Sequence, residues 1–149
     1  MSLENILLTI GPGDKDRAEK LAEFVVDIAG PADTTVILAH VFTQDEYSAA
    51  TERLGIKSPT EVTPDEVARR HETTRSISEA LEEAGISYEI RGAVGSHGEE
   101  IIRLAADEHS GLVVVGGRKR SPTGKAVFGS TAQEVMLTAP CPVTFVRGE

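Results

Sequence analysis

The sequence predicts an α/β fold in which a parallel β-sheet carries helices on both faces, and two observations predict it. Apolar, β-rich runs alternate with helical patterns from one end of the chain to the other, and runs such as Thr34 to Phe42 are apolar along most of their length, as strands covered on both sides must be. With 149 residues and no internal repeat, low-complexity tract or linker, the chain reads as one domain over residues 1–149, long enough to bury a core without disulfides or metal staples.

Asn5-Ile-Leu-Leu-Thr-Ile10 is the first strand, stopped by Gly11-Pro-Gly13. Asp14 then caps a helix in which Ala18, Leu21, Ala22, Val25 and Ile28 fall at helical spacing, and Gly30-Pro31 ends it. Thr34 to Phe42 is the second strand. The polar, weakly patterned segment from Thr43 to Val62 reads as a long connection with one helical turn near Glu46 to Leu54, a length that in a compact domain often serves function. Thr63 caps a long helix with Pro64 at its first position and Glu66 completing a capping box; Val67, Ile77, Leu81 and Ala84 form its buried stripe and Gly85 stops it. Ile86 to Val94 is the third strand. Ser96 and Glu99 repeat the capping logic before a helix carrying Ile101, Ile102, Leu104 and Ala105. Leu112 to Val115 is the fourth strand, the fourth helix starts near Ser130, and Val143 to Val146 is the last strand, giving five strands and four main helices.

The formal net charge of −9 makes a nucleic acid or an anionic membrane an unfavourable partner over most of the surface, so any anionic ligand must bind locally. Only 5 of the cations are Lys, a balance that fits a halophilic or salt-tolerant source as well as an ordinary acidic protein. Cys141 is the sole cysteine, which rules out an intrachain disulfide and suits a reducing compartment. His40, His71, His97 and His109 lack zinc-ligand spacing, and no metal site is expected. Met1 to Asn5 carries no basic segment followed by an apolar run, and no window approaches the roughly 18 apolar residues of a membrane span. These features set the expectation of a cytoplasmic protein.

One segment departs from the acidic background. From His109 to Gln133 there is no Asp or Glu, yet Arg118, Lys119, Arg120 and Lys125 are all present, between a buried strand and a helix start. A helix N-terminus offers unpaired N–H groups and partial positive charge, and the loop before it adds cations and glycines, so a phosphate is expected here. In a sheet of this class ligands bind beyond the carboxyl ends of the strands, where the strand order reverses. The loops after the first strand, Gly11 to Asp14, and after the fourth, Gly116 to Gly129, are the natural pair. Two familiar nucleotide signatures are absent: Gly124-Lys125 has Lys119 where the phosphate loop needs its first glycine and Ala126 in place of the hydroxyl, and Asp16 stands where the dinucleotide fingerprint needs glycine.

The loop does match another pattern: Gly, two residues, Gly, nine residues, Gly, then Ser or Thr, with Gly116, Gly129 and Ser130 in register. Val113-Val-Val-Gly-Gly before it, Ala139-Pro-Cys-Pro-Val-Thr-Phe-Val146 after it, and Gly95-Ser96 with Glu99 to Ala105 agree in context. On these residues the chain resembles the universal stress protein family over nearly its whole length. The resemblance implies a five-stranded Rossmann-like sheet of order 3-2-1-4-5, a homodimer, and in one branch of the family a bound ATP, with magnesium entering only through the nucleotide. By position, Gly116, Arg118 and Lys119 would lie along phosphates and ribose, Gly129, Ser130 and Thr131 would hold phosphates, Val41 would meet adenine through its backbone, and Gly11 would border the site. Two departures bear on ATP. Lys119 replaces the second motif glycine, where a side chain either blocks the phosphates or pairs with them, and the acid usual just after the first strand is replaced around Gly11.

Each feature has a plainer counterpart. Gly116-Gly117 can be a strand exit, Gly129-Ser130 a helix cap, the basic triplet a solvated tip; His97 reads as a passive first-turn residue, His40 as a strand-end residue, Cys141 as a packed small side chain. The matched spacing and the missing acids favour the site. The leading expectation is a dimeric stress-response regulator that binds ATP, the alternative a nucleotide-free homodimeric interaction module of the same fold. An ATPase is the least favoured, since Asp14 is the one obvious acid near the expected phosphates. The dimer is expected to form through the apolar edge strand Val143 to Val146.

Overall fold

In a computed structural model, which describes residues 3–117 and 129–147, five parallel strands form one sheet in the order β3-β2-β1-β4-β5. The strands are β1 Asn5–Ile10, β2 Thr35–Phe42, β3 Tyr88–Val94, β4 Leu112–Gly117 and β5 Val143–Arg147. Six α-helices accompany them among the described residues: α1 Ala18–Ala32, α2 Gln44–Arg53, α3 Pro64–Arg70, α4 Glu72–Glu83, α5 His97–Asp107 and α6 Ser130–Thr138.

Side chains alternate across a strand, so a strand covered on both faces is apolar throughout while its residues feed two separate cores. Ile6 and Leu8 of β1 and Val36, Leu38 and Phe42 of β2 face α1, α3 and α4, meeting Leu21, Val25, Val67, Ile77 and Leu81. Leu7, Ile37, Ala39, Val41, Val113 and Val115 face the other way, onto Ile101 and Ala105 of α5 and Ala132 and Val135 of α6. β1 pairs with β2 from Asn5↔Thr35 to Ile10↔His40 and with β4 through Ile6↔Leu112 to Leu8↔Val114. The chain therefore leaves β1 toward one face and β4 toward the other, and a crevice opens between their carboxyl ends.

Several local expectations need correction. The segment after β2 holds a helix of three turns: Thr43 accepts from the Glu46 N–H (3.2 Å) while Glu46 Oε1 accepts from the Thr43 N–H (2.9 Å), a complete capping box. The long helix after Thr63 is two helices. Thr63 caps as expected, but the Glu66 carboxylate turns to Arg69 (2.8 Å) and Arg70 (3.0 Å) instead of closing a box, and His71, in extended conformation, breaks the helix and caps α4 by accepting from the Thr73 N–H (3.3 Å). α1 runs past Gly30-Pro31 to Ala32 and ends on Asp33 at φ 52°, and the residue before its opening 3-10 turn is Gly13, so Asp14 is not the cap. Ser96 holds the cap position of α5 without a side-chain bond. The Glu134 carboxylate from α6 lies against Gly98 in that first turn, where negative charge suits the helix end. Gly85 stops α4 as expected: at φ 74° it lets Ile86 donate to Leu81 O (2.9 Å) and itself donates to Glu82 O (3.1 Å).

β3 is held to α3 by a close backbone approach. Gly92 N–H donates to Asp65 Oδ1 (2.6 Å), and a Cβ on Gly92 would collide with the Pro64 carbonyl oxygen, a backbone atom that cannot swing away. Gly92→Ala is expected to destabilise the fold by about 1–3 kcal/mol through forced separation of α3 from β3. Urea denaturation should read this as a lower midpoint at unchanged slope.

Candidate functional site

A cavity of about 450 Å³ occupies the crevice between the ends of β1 and β4. Six residues nominated from sequence line it: Gly11, Val41, Gly116, Gly129, Ser130 and Thr131. The other two, Arg118 and Lys119, lie outside the described residues. Val41 is buried near the end of β2, Gly116 pairs with Val146 in the β4–β5 ladder, and Gly129 precedes the first turn of α6.

α6 starts bare. Gly129 supplies no side-chain cap, the first turn contains no acid, and among the described residues a Cβ on Gly129 would meet no atom within 4 Å, while Gly129, Ser130 and Thr131 line the cavity. Such an end carries partial positive charge and unpaired donors, the requirements of an anion seat.

The floor is polar in a way the sequence did not reveal. Asp14, 4% exposed, accepts from the Gly11 N–H through Oδ2 (2.7 Å) and from Arg17 Nε through Oδ1 (2.5 Å). An acid therefore does stand beside Gly11, supplied from three residues further along. Arg17 was missed because basic residues in a first helical turn are commonplace. The signal that could have found it is its spacing of three from Asp14, which puts both side chains on one side of a turn.

At the β2 end, His97 from the first turn of α5 also lines the cavity, and its Nε2 is 2.7 Å from Glu46 Oε1. Glu46 thus joins the starts of α2 and α5 across the strand ends. On the opposite face of β2, His40 is buried, stacked on Phe42 (centroids 4.2 Å apart) and tilted against His71 (4.3 Å), with Nδ1 lacking a partner. Burial, then the nearby His71 and His97, push its pKa down to about 3; burial, then the Arg53 charge, also lower that of His71. Among the described residues no group of three or more His, Cys, Asp or Glu could hold a metal, and no helix is long and apolar enough to cross a membrane.

With this geometry in place, likeness to known proteins can be stated. The family model described as the universal stress protein family matches residues 3–147. A universal stress protein of Mycolicibacterium smegmatis is 40% identical over 68 residues, 45% of this chain, and the match spans about half, 52%, of that protein's own length. A universal stress protein from Archaeoglobus fulgidus in complex with dAMP superposes with TM-score 0.67 at 18% identity, covering 99% of this chain and 100% of the other. An Arabidopsis thaliana member of the family with AMP bound superposes with TM-score 0.65 at 14% identity, covering 98% and 92%. At these identities the structural likeness establishes the fold.

A histidine whose folded pKa lies below its unfolded value stabilises the fold fully above the unfolded value, near 6.5, and progressively less as pH falls toward the folded one. Unfolding free energy is therefore expected to drop between pH 6.5 and 5 by up to about 1.4 kcal/mol per pH unit. His40→Phe, which keeps the stack on Phe42, should flatten that slope in denaturation curves taken across the window.

Proposed function

The chain belongs to the universal stress protein family, and from that premise we propose that it binds an adenine nucleotide, ATP, in the crevice between β1 and β4. The observation that carries the proposal is the convergence of six residues chosen from sequence on one cavity of about 450 Å³, a size within the usual range for small-ligand sites. Adenine meets the backbone at Val41, the ribose and the first phosphate lie along Gly116, and the remaining phosphates reach the start of α6 at Gly129, Ser130 and Thr131. There main-chain N–H groups and two hydroxyls donate to phosphate oxygens. Arg118 and Lys119, directly after β4, supply neutralising charge. Family members solved in complex with dAMP and with AMP support an adenine nucleotide as the ligand class.

In this proposal nucleotide changes the loop after β4, and with it what the protein contacts, as a regulator rather than an enzyme. Asp14, the acid nearest the phosphates, has one oxygen on Gly11 N–H and the other on Arg17, so it is poorly placed to act as a base or to hold a metal. Dimerisation through β5 belongs to the same proposal. Among the described residues β5 pairs only with β4, and Val143, Phe145 and Val146 are half-buried rather than covered, so a second copy would complete the edge. The single-domain reading of residues 1–149 and a location in the cytoplasm complete it. The nucleotide-free module is the second reading. It is favoured by Leu137, 86% exposed on α6, an apolar side chain suited to protein contact.

ATP at about a hundred times its Kd should raise the melting temperature by roughly 5–10 °C. Gly129→Val should abolish that rise while costing the free protein no more than about 1 kcal/mol, since its φ of −64° and ψ of 163° suit any residue and its Cβ would meet none of the described residues within 4 Å. An undiminished rise in the variant would remove α6 from the site. Sedimentation at micromolar concentration should give a species of twice the 15.9 kDa chain mass; a monomer would contradict the β5 interface.

A further inference from the structure

We infer that Arg17 is the phosphate-reading cation built into the floor of the crevice, with Asp14 as the residue that positions it. This rests on the nucleotide reading of the same cavity and goes beyond it by assigning to Arg17, a residue outside that reading, the part of the affinity that depends on phosphate.

Arg17 and Asp14 both line the cavity, and Arg17 is the one Arg or Lys among its described lining residues. Their side chains are 15% and 6% exposed, and Nε stands 2.5 Å from Oδ1. The second carboxylate oxygen is fixed by the Gly11 N–H at the end of β1 (2.7 Å), so the acid is anchored to the sheet and the guanidinium is anchored to the acid. The glycines around it define its course. A Cβ on Gly13 would lie 2.9 Å from Arg17 Nη2, and one on Gly116 would lie 2.7 Å from Asp14 Oδ1 and 2.9 Å from Arg17 Nε. The guanidinium thus runs from the loop after β1 to the end of β4, across the base of the crevice, in space that exists because both positions lack side chains. Gly116 is bare for the sake of the ion pair as well as the ligand.

An ion pair taken out of water costs desolvation and is weak evidence of stabilisation on its own. Its place in a cavity wall is explained by recognition. Arg offers five N–H donors in a planar fork that matches phosphate oxygens, and a carboxylate that holds the Nε edge fixes the orientation of the rest at little further entropic cost. The ligand that this arrangement takes is a nucleoside phosphate, in preference to a free nucleoside.

Calorimetric titration of the full chain with ATP, AMP and adenosine tests this. Arg17→Ala is expected to weaken ATP and AMP by about 10–100-fold and adenosine by less than about twofold. Arg17→Lys, which keeps the charge without the fork, should fall between wild type and Arg17→Ala for ATP and remain at wild type for adenosine, and it serves if Arg17→Ala does not fold. Equal losses for all three ligands would show a merely structural pair and overturn the inference, as would wild-type ATP affinity in both variants. A wild-type chain that binds adenosine and ATP equally would also overturn it while leaving an adenine site intact. Binding of none of them by wild type would sink the nucleotide reading itself.

Discussion

The structure depends on the double pairing of β1, with β2 on one side and β4 on the other, all strands parallel. Parallel strands need crossover helices, and a central strand must bury both faces, so Leu7 can serve one core while Ile6 and Leu8 serve the other. The reversal of strand order at β1 then sends the following helices to opposite faces. A crevice at the carboxyl ends follows from that connectivity before any ligand is considered.

What fills the rim of the crevice is set by charge. In a chain of net charge −9, the stretch around β4 and the start of α6 is free of acids, and α6 begins without a cap or an acidic first turn. Among its described lining residues the same crevice holds one carboxylate, Asp14, and its charge is matched at once by Arg17 and a backbone N–H. Among the described residues the local balance is therefore neutral, in a molecule that is acidic as a whole. A site without excess negative charge in an acidic protein gives an anion a preferred place without strong overall attraction.

Much of this was legible in the sequence, for identifiable reasons. The strands were legible because doubly covered strands are continuous apolar runs, and the spacing of Gly116, Gly129 and Ser130 carried the strand order through the family resemblance. The start of α2 was missed although Thr43 and Glu46 make a full capping box, because Gln44–Arg53 buries only Tyr47 and Thr51 and so shows no apolar stripe. The break at His71 was missed because Pro64 to Glu83 contains no Gly or internal Pro. Its trace was the gap in the stripe, which skips from Val67 to Ile77 across Arg69, Arg70 and His71. Arg17 left only the weak trace of its spacing of three from Asp14: its course across the crevice comes from the loop around Gly11 and Gly13 meeting the end of β4 at Gly116, and no local pattern encodes such a meeting.

The central claim is that the β1–β4 crevice is an adenine nucleotide site. The most direct test is an NMR titration of the labelled protein with ATP, following backbone amides. The account predicts saturable shifts at Gly11, Val41, Gly116, Gly129, Ser130 and Thr131, with amides on the far side of the sheet, such as those of Ile77 and Leu81 in α4, unmoved. Absence of shifts at millimolar ATP, or shifts confined to residues outside the crevice, would contradict it.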